Sequence, residues 1–407
     1  MTVHAVDLNQ PVRFHPLTFL DEGDEVTAGR ADISSYGVFP ADGAALLQRL
    51  ADGSPPNQAA FWYAEQYGER VDIGEFLEIL DDLSLIVTDG ETEAEQAPVR
   101  WQRLGRAVFS PPAWACYVLL IGTAIAAMIR EPFLLPSYRH LLFIRSPLVL
   151  LALGIALGQA PWLLLHEGFH ALAGRRLGLP TTLRVSRRFY FVVLETSLDG
   201  LVGIPRGKRY LPLLAGMLAD LLAIAALTLG SALAALASGP GSLGCRLLLS
   251  MAFGVVLRLA WQFYFFLRTD LYYVATTMLG CNDLQAAARR VLRARVRRLA
   301  GRPGWVDELR DLPPRELGVA RWYSFILLVG YAFLSVVLVT TGLPVAIRLV
   351  QTALGELTAG RSALKAADAL AFLALNFFDP ALAAFLALRA RRGKAANPHE
   401  KAHQEKS

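Results

Sequence analysis

Long apolar runs, separated by polar and charged segments, occupy the chain from about residue 111 onwards. A helix needs about 20 predominantly apolar residues to cross a bilayer. The runs that meet this length lie near 111–129, 147–171, 211–238, 247–267, 322–347 and 366–388. The pattern predicts a multi-pass α-helical membrane protein with about six transmembrane helices. Because the first run begins so far into the chain, we expect no cleaved signal peptide before it.

The region before these runs has shorter periodicities. Strand-like segments are expected at 12–15 and 33–39, with a turn at 21–24 between them and a last short strand at 85–87. Amphipathic helices are predicted over 41–50, 58–67 and 72–83. Asp72 and Glu75 have the spacing of a capping box at the start of the third helix. These elements predict a small α+β domain.

The two patterns set the domain boundaries. We assign residues 1–90 to the α+β domain, 91–108 to a linker, 109–390 to the membrane domain and 391–407 to a disordered polar tail. The chain is 54% hydrophobic and 18% charged, with a formal net charge of +5. The charge is very unevenly divided, because residues 1–98 hold 4 Lys/Arg and 19 Asp/Glu, a net of −15, and the rest carries +20. The three cysteines, Cys116, Cys245 and Cys281, have no CxxC spacing and predict neither a disulfide framework nor a thiolate metal site.

The loops between the apolar runs alternate in positive charge. Segments 175–209, 268–321 and 389–407 carry 8, 11 and 6 Lys/Arg, whereas 130–145, 239–246 and 348–365 carry 3, 1 and 3. The positive-inside rule makes the first set cytoplasmic. We therefore expect a protein of the inner membrane with both termini in the cytoplasm, in which the second span runs from outside to inside.

The sequence His166-Glu167-Gly168-Phe169-His170 closes the second apolar run. Two histidines four residues apart lie about 40° apart around a helix axis, so both imidazoles can reach one metal ion. Glu167 is well placed to deprotonate a zinc-bound water, whose pKa the metal lowers to about 7. Placing two histidines and a glutamate at the end of an apolar span costs free energy, so residues of this kind usually have a function. The context favours a zinc site over a buried, hydrogen-bonded histidine pair.

The pattern alone does not define a site. A second copy, His399-Glu400-Lys401-Ala402-His403, lies in the polar tail, which has no apolar face to pack against other elements. We interpret that copy as solvated chain. The copy at His166 differs by its depth at the cytoplasmic end of a span, where water can reach a metal.

A catalytic zinc site needs a third protein ligand and one open position. Asp270 is the preferred candidate because it follows the fourth run at the depth expected for the two histidines. Asp199 and Glu195 are alternatives, since they belong to a loop that could fold back. The other interpretation of Asp270 is an interfacial carboxylate paired with Arg268.

Ionisable groups also occur inside the apolar runs. Asp220 in the third run and Arg258 in the fourth lie at membrane depth, where such groups normally face the bundle and find partners. We predict that they pair with each other in preference to a catalytic role. Asn376 and Asp379 of the sixth run could line the same polar interior.

The loop over 179–210 is rich in strand formers between Pro180 and Pro205. It predicts a cytoplasmic hairpin beside the metal, whose edge could hold an extended substrate by strand addition. The alternative is an amphipathic interfacial hairpin, in which Arg184, Arg187 and Arg188 contact anionic lipid headgroups.

Four features occur in sequence order: HEGFH at the end of a span, a strand-like loop, Ala215-Gly216 opening another span, and RTDLYYV over 268–274 after a further one. Together they resemble the site-2 protease family, in its bacterial branch of peptide zinc metalloproteases. The likeness covers about residues 105–390. It implies a membrane-embedded peptidase fold.

The resemblance also implies roles for individual residues. By it, His166, His170 and Asp270 bind Zn²⁺. Glu167 is then the general base of peptide hydrolysis. The chain departs from the family after the third ligand, where Leu271 stands in place of the usual Gly, and the Asn/Pro often found before that ligand is missing. These departures leave the third ligand open.

The strands and three helices over about 5–88, with Asp52-Gly53 between the first two helices, resemble the small winged-helix domain of the PqqD type. That domain captures leader peptides of ribosomally made precursors, so the resemblance implies a peptide-binding domain. A DNA-binding winged helix is disfavoured by the net charge of −15, because phosphate contacts need basic side chains. An acidic domain that only stabilises the protein is the other interpretation.

Together these features predict a membrane-embedded zinc metallopeptidase that removes the leader from a precursor peptide near the cytoplasmic membrane surface. The expected partners are that peptide and membrane lipid, without nucleic acid, and no oligomeric state is predicted. Two alternatives remain. One is a regulatory intramembrane protease of a membrane-anchored partner, and the other is a non-enzymatic membrane protein that binds or exports peptides.

Overall fold

The computed structural model describes residues 7–87 apart from 22, 24 and 34, then 99–140, 148–188, 191–281, 283–303, 306–310 and 312–358, with isolated positions between 367 and 385. The chain forms two compact units: unit 1 contains 1–110, 170–182 and 196–212, and unit 2 contains 111–169, 183–195 and 213–407. The tail with the second HExxH copy lies outside the described residues. So do Asn376, Asp379 and most of the predicted sixth span at 366–388.

The N-terminal part of unit 1 is an antiparallel sheet followed by three helices. The strands pair in the order β1-β2-β3, and they are β1 (Thr18–Asp21), β2 (Glu25–Arg30) and β3 (Ser35–Pro40). The helices are α1 (Ala41–Ala51), α2 (Pro56–Tyr67) and α3 (Ile73–Asp82). Phe14 and Ile86 form an antiparallel bridge that joins the predicted first and last extended segments. The predicted order of strands and then three helices is confirmed.

One face of this sheet packs on the helices. Ala28 of β2 and Phe39 of β3 are buried in one cluster with Leu47 and Leu50 of α1 and Leu80 of α3. Leu47 and Leu50 are three residues apart, so α1 turns a single apolar stripe toward the sheet. Full burial of each leucine side chain contributes about 1.5–3 kcal/mol relative to exposure.

The other face of the sheet packs on the 3-10 turn Asp199–Gly203, which also belongs to unit 1. Tyr36 of β3 pairs with Gly29 of β2 and extends to Gly203. A Cβ at position 203 would lie 2.7 Å from Cζ and 2.8 Å from Oη of Tyr36. Only glycine at position 203 leaves room for the ring of Tyr36. The turn covers the second face of the small sheet, and the helices cover the first.

Part of the predicted linker is a packed helix. Helix α4 (Gln102–Val108) lies against the last turns of α6 (Leu148–Arg176). Gly105 is buried, and a Cβ there would lie 3.1 Å from the backbone nitrogen of Arg176 and would collide with the carbonyl oxygen of Leu172. The backbones of α4 and of the last turns of α6 are therefore in direct contact.

Within the described residues, four helices are long and apolar enough to cross a membrane. They are α5 (Pro111–Arg130), α7 (Arg206–Ser238), α8 (Leu243–Trp261) and the segment Glu316–Thr340, which contains most of α12 (Pro314–Val337). These helices overlap the first, third, fourth and fifth predicted runs and are compatible with membrane insertion. Helix α6 covers the second run as one continuous helix of 29 residues. A π-helical turn at Leu338–Gly342 connects α12 to α13 (Leu343–Thr358).

The fourth predicted run, 247–267, is not a single helix. Helix α8 ends at Trp261, and a 3-10 turn at Phe265–Leu267 leads into α9 (Asp270–Leu279). Between the turn and α9, Arg268 has a φ of 56°, which is uncommon for a residue other than glycine. Asp270 is the first residue of α9.

Two further helices and a two-stranded sheet lie between the long apolar runs. Helix α10 (Leu284–Leu299) packs on α12, with α11 (Asp307–Arg310) between them in the sequence. Val291 of α10 and Tyr323 and Leu327 of α12 share one buried cluster. The predicted hairpin is confirmed as a two-stranded sheet of β4 (Thr182–Arg188) and β5 (Phe191–Ser197).

The contact between Tyr36 and Gly203 can be tested with a matched pair of substitutions. Gly203→Ala should lower the free energy of unfolding by roughly 1–3 kcal/mol, because the added methyl overpacks the site. Gly207→Ala should be neutral or slightly stabilising, since a Cβ at 207 meets nothing within 4 Å and alanine favours the first turn of α7. The measurement is thermal or denaturant unfolding of the full chain in detergent.

A smaller side chain at position 36 should partly restore the stability of the Gly203→Ala variant. Tyr36→Ser combined with Gly203→Ala should recover part of the lost stability if the ring is the obstacle. Equal effects of the alanine substitutions at 203 and 207 would show that the contact does not constrain the fold.

Candidate metal centre

Helix α6 brings three functional side chains into a buried position. His166, Glu167 and His170 are only 3%, 6% and 4% exposed. Polar groups buried to this extent are costly unless hydrogen bonds or a metal ion replace water. The contacts of the two imidazoles therefore indicate whether hydrogen bonds or a metal ion replace water at this position.

His166 lies between two carboxylates. Its Nδ1 is 3.0 Å from Oδ2 of Asp220, and its Nε2 is 3.2 Å from Oδ2 of Asp270. One ring nitrogen of a neutral imidazole donates a hydrogen bond and the other offers a lone pair. Since Asp220 is held on its other side by an arginine, we assign the hydrogen to Nδ1 and the lone pair to Nε2, beside Asp270.

A backbone carbonyl orients the ring of His170 in the same way. Its Nδ1 is 2.7 Å from the carbonyl oxygen of Pro212. A carbonyl oxygen only accepts, so Nδ1 of His170 carries the hydrogen and Nε2 has the lone pair. Both histidines of the pentapeptide thus engage Nδ1 and keep Nε2 for a metal, which is the usual arrangement of histidine ligands.

The two histidines and Asp270 form a group that could hold a metal ion, and their ligating atoms all lie within 4.8 Å of one another. Bonds of about 2.0–2.2 Å from zinc to nitrogen and oxygen place tetrahedral ligand atoms about 3.3 Å apart. The 3.2 Å between Nε2 of His166 and Oδ2 of Asp270 is close to this spacing. The donor set of two imidazole nitrogens and one carboxylate oxygen fits zinc among other divalent metals.

The choice between the candidate third ligands follows from the same geometry. Among the described residues, Asp270 is the carboxylate that lies close enough to both histidines to bind the same metal ion. Glu195 is not a member of the group. Asp199 opens the 3-10 turn on the sheet of unit 1, but its side chain lies outside the described residues. Arg268, the alternative partner of Asp270, instead donates to both carboxylate oxygens of Asp283 at 2.7 Å.

Asp270 is held by the residues that end α8. Its backbone N–H donates to Oε1 of Gln262 at 3.0 Å, and Oγ1 of Thr269 donates to the backbone oxygen of Gln262 at 2.7 Å. Thr269 is fully buried and Gln262 is 6% exposed. The turn into α9 is thus fixed by hydrogen bonds, and the carboxylate is presented from the first turn of a helix.

The predicted pair of Asp220 and Arg258 is confirmed. Nε of Arg258 donates to Oδ1 of Asp220 at 3.1 Å, and its terminal nitrogen donates to the same oxygen at 2.5 Å. The contact between Asp220 and His166 was not predicted. The only sequence feature that points to it is that Asp220 is a single carboxylate within the long apolar run of α7.

No family model matches the chain, and no match is found among curated proteins or among solved structures. The metal centre therefore rests on the geometry and chemistry of its own residues.

The choice between Asp270 and Asp199 as the third ligand can be tested by replacing each of them with asparagine. Asp270→Asn should reduce zinc affinity strongly, because a neutral amide replaces the only carboxylate of the group, and His166→Ala or His170→Ala should do the same. Asp199→Asn should leave zinc bound. The measurement is metal content and zinc affinity of the purified full chain. Loss of zinc from Asp199→Asn, with zinc retained by Asp270→Asn, would assign the third ligand to Asp199.

Proposed function

We propose that this protein is a membrane-embedded zinc metallopeptidase that hydrolyses a peptide bond near the cytoplasmic membrane surface. The observation that carries the proposal is the buried group of His166, His170 and Asp270 with Glu167 on the same helix. Two histidines, one carboxylate and an open position are the ligand pattern of catalytic zinc in peptidases. The resemblance of HEGFH and RTDLYYV to the site-2 protease family points the same way.

Zinc held by these ligands would supply a Lewis acid for the scissile carbonyl and would lower the pKa of water to about 7. The chain's own residues supply the rest. Asp270 and the two histidines would hold the metal, and catalysis would need a fourth position left for water or substrate. Glu167 accepts a proton from the attacking water and delivers it to the leaving amine nitrogen, so that one C–O bond forms as the C–N bond breaks.

The proposed location follows from charge and exposure together. The exposed apolar side chains of the spans, such as Leu119, Ile129 and Leu236 at 72%, 75% and 85%, are suited to contact with lipid. The basic segments 175–209 and 268–321 favour the cytoplasmic side for the end of α6. On this basis we propose an inner-membrane protein with both termini in the cytoplasm.

The N-terminal sheet is proposed to bind the leader of a precursor peptide. Strand β3 lies at the edge of the sheet, where an extended peptide can add a strand. Helix α3 flanks it, with Phe76 in ring contact with Phe39 at 6.1 Å. Glu75 and Glu78 are exposed on α3, so a leader with Lys or Arg is favoured. Tethering the leader would raise the local concentration of the scissile bond.

The peptidase mechanism is tested by Glu167→Gln. The variant should bind zinc as tightly as the wild type, because Glu167 is not a ligand, while peptide cleavage should fall by at least ~100-fold as the proton transfer is lost. Zinc content and the cleavage of co-expressed precursor are the two measurements. Full cleavage by a zinc-loaded Glu167→Gln chain would disprove the mechanism.

The role of the N-terminal sheet is tested in the same background. A Glu167→Gln chain purified from its native host should retain uncleaved precursor, which mass spectrometry would identify. Glu75→Lys with Glu78→Lys should release that peptide through repulsion of its basic side chains, whereas Glu65→Lys on the exposed side of α2 should not. Retention of the peptide by all variants would favour the regulatory intramembrane protease, which needs no leader-binding domain.

A further inference from the structure

We propose that Asp220 is a positioning residue that fixes the tautomer and orientation of His166, and that Arg258 holds the Asp220 side chain in place for this role. This inference rests on the proposed metallopeptidase function. It gives the pair a role in metal binding in addition to the attraction between two helices.

Both oxygens of Asp220 are used, each for a different partner. Oδ2 accepts from Nδ1 of His166 at 3.0 Å, and Oδ1 accepts from Nε of Arg258 at 3.1 Å. Asp220 is 0% exposed. A carboxylate so far from water is retained only when a cation and hydrogen bonds replace its hydration, and Arg258 supplies that cation. A structural ion pair would need only one of these contacts.

His166 depends on this carboxylate more than His170 depends on its own partner. Nδ1 of His170 binds the backbone oxygen of Pro212, which α7 holds in place. Nδ1 of His166 binds a side chain that can rotate unless something fixes it. Hydrogen bonding to a carboxylate sets the tautomer of a histidine ligand, orients its ring and raises its basicity toward the metal.

The end of α8 orients two of the three ligands. Arg258 and Gln262 are four residues apart, so they lie on the same side of the helix end. Arg258 acts on His166 through Asp220, and Gln262 acts on Asp270 by accepting its backbone N–H. One helix end thus sets the separation of Nε2 of His166 and Oδ2 of Asp270.

The test compares zinc affinity with folding in the full chain. In Asp220→Leu with Arg258→Met, both charges are removed together, so neither is left buried without its partner. Thr228→Val is the matched control, because Thr228 is on the same helix and equally buried at 0%. Each purified chain is titrated with zinc against a competing chelator, and its Co²⁺ complex is examined by visible absorption.

We expect the double variant to unfold at a temperature near that of the wild type but to bind zinc roughly 10–100-fold more weakly. Its Co²⁺ absorption should shift, which a purely structural pair would not cause. Asp220→Asn, which keeps an accepting oxygen without the charge, should have intermediate affinity, and it provides the same comparison if the double variant does not fold. Thr228→Val should match the wild type.

Two results would overturn the inference in distinguishable ways. A folded double variant with wild-type zinc affinity and an unchanged Co²⁺ spectrum would reduce Asp220 and Arg258 to a structural pair and leave the proposed function intact. A wild-type chain that binds no zinc would remove the proposed function and the positioning role together.

Discussion

The carboxylate of Asp220 is fully buried and needs partners that replace its hydration, and this constraint organises the centre of unit 2. Arg258 of α8 donates to Asp220 of α7, which accepts from His166 of α6, whose other nitrogen faces Asp270 of α9. Hydrogen bonds thus link three of these helices, and the approach of Nε2 of His166 to Asp270, where a metal ion could be shared, adds the fourth. Removing one member alone leaves a buried polar group without its partner, which is more costly than removing both members of a pair together.

Much of this architecture is visible in the sequence because it depends on local patterns. The apolar runs identify the long helices, and Asp72 caps α3 as predicted, accepting from the backbone N–H groups of Gly74 and Glu75 at 3.0 and 3.1 Å. The pair of Asp220 and Arg258 could be anticipated because two opposite charges at membrane depth have few other solutions.

The parts that the sequence did not predict depend on packing between distant segments. Strands β1 and β2 escaped prediction because the run Thr27-Ala28-Gly29 has no alternation of apolar and polar residues, and both of its faces are covered in the fold. The break after Trp261 was missed since apolar residues continue to Leu267. The bond between Asp220 and His166 joins positions 54 residues apart, and no local spacing encodes it.

The turn Asp199–Gly203 gives the small sheet an unusual dependence on the rest of the chain. Its second face is completed by a segment about 160 residues further along the sequence, so unit 1 is not built from the first 110 residues alone. Exchange of the first hundred residues for those of another protein would separate Tyr36 from Gly203, and the residue in place of Tyr36 would then have to fit against the turn.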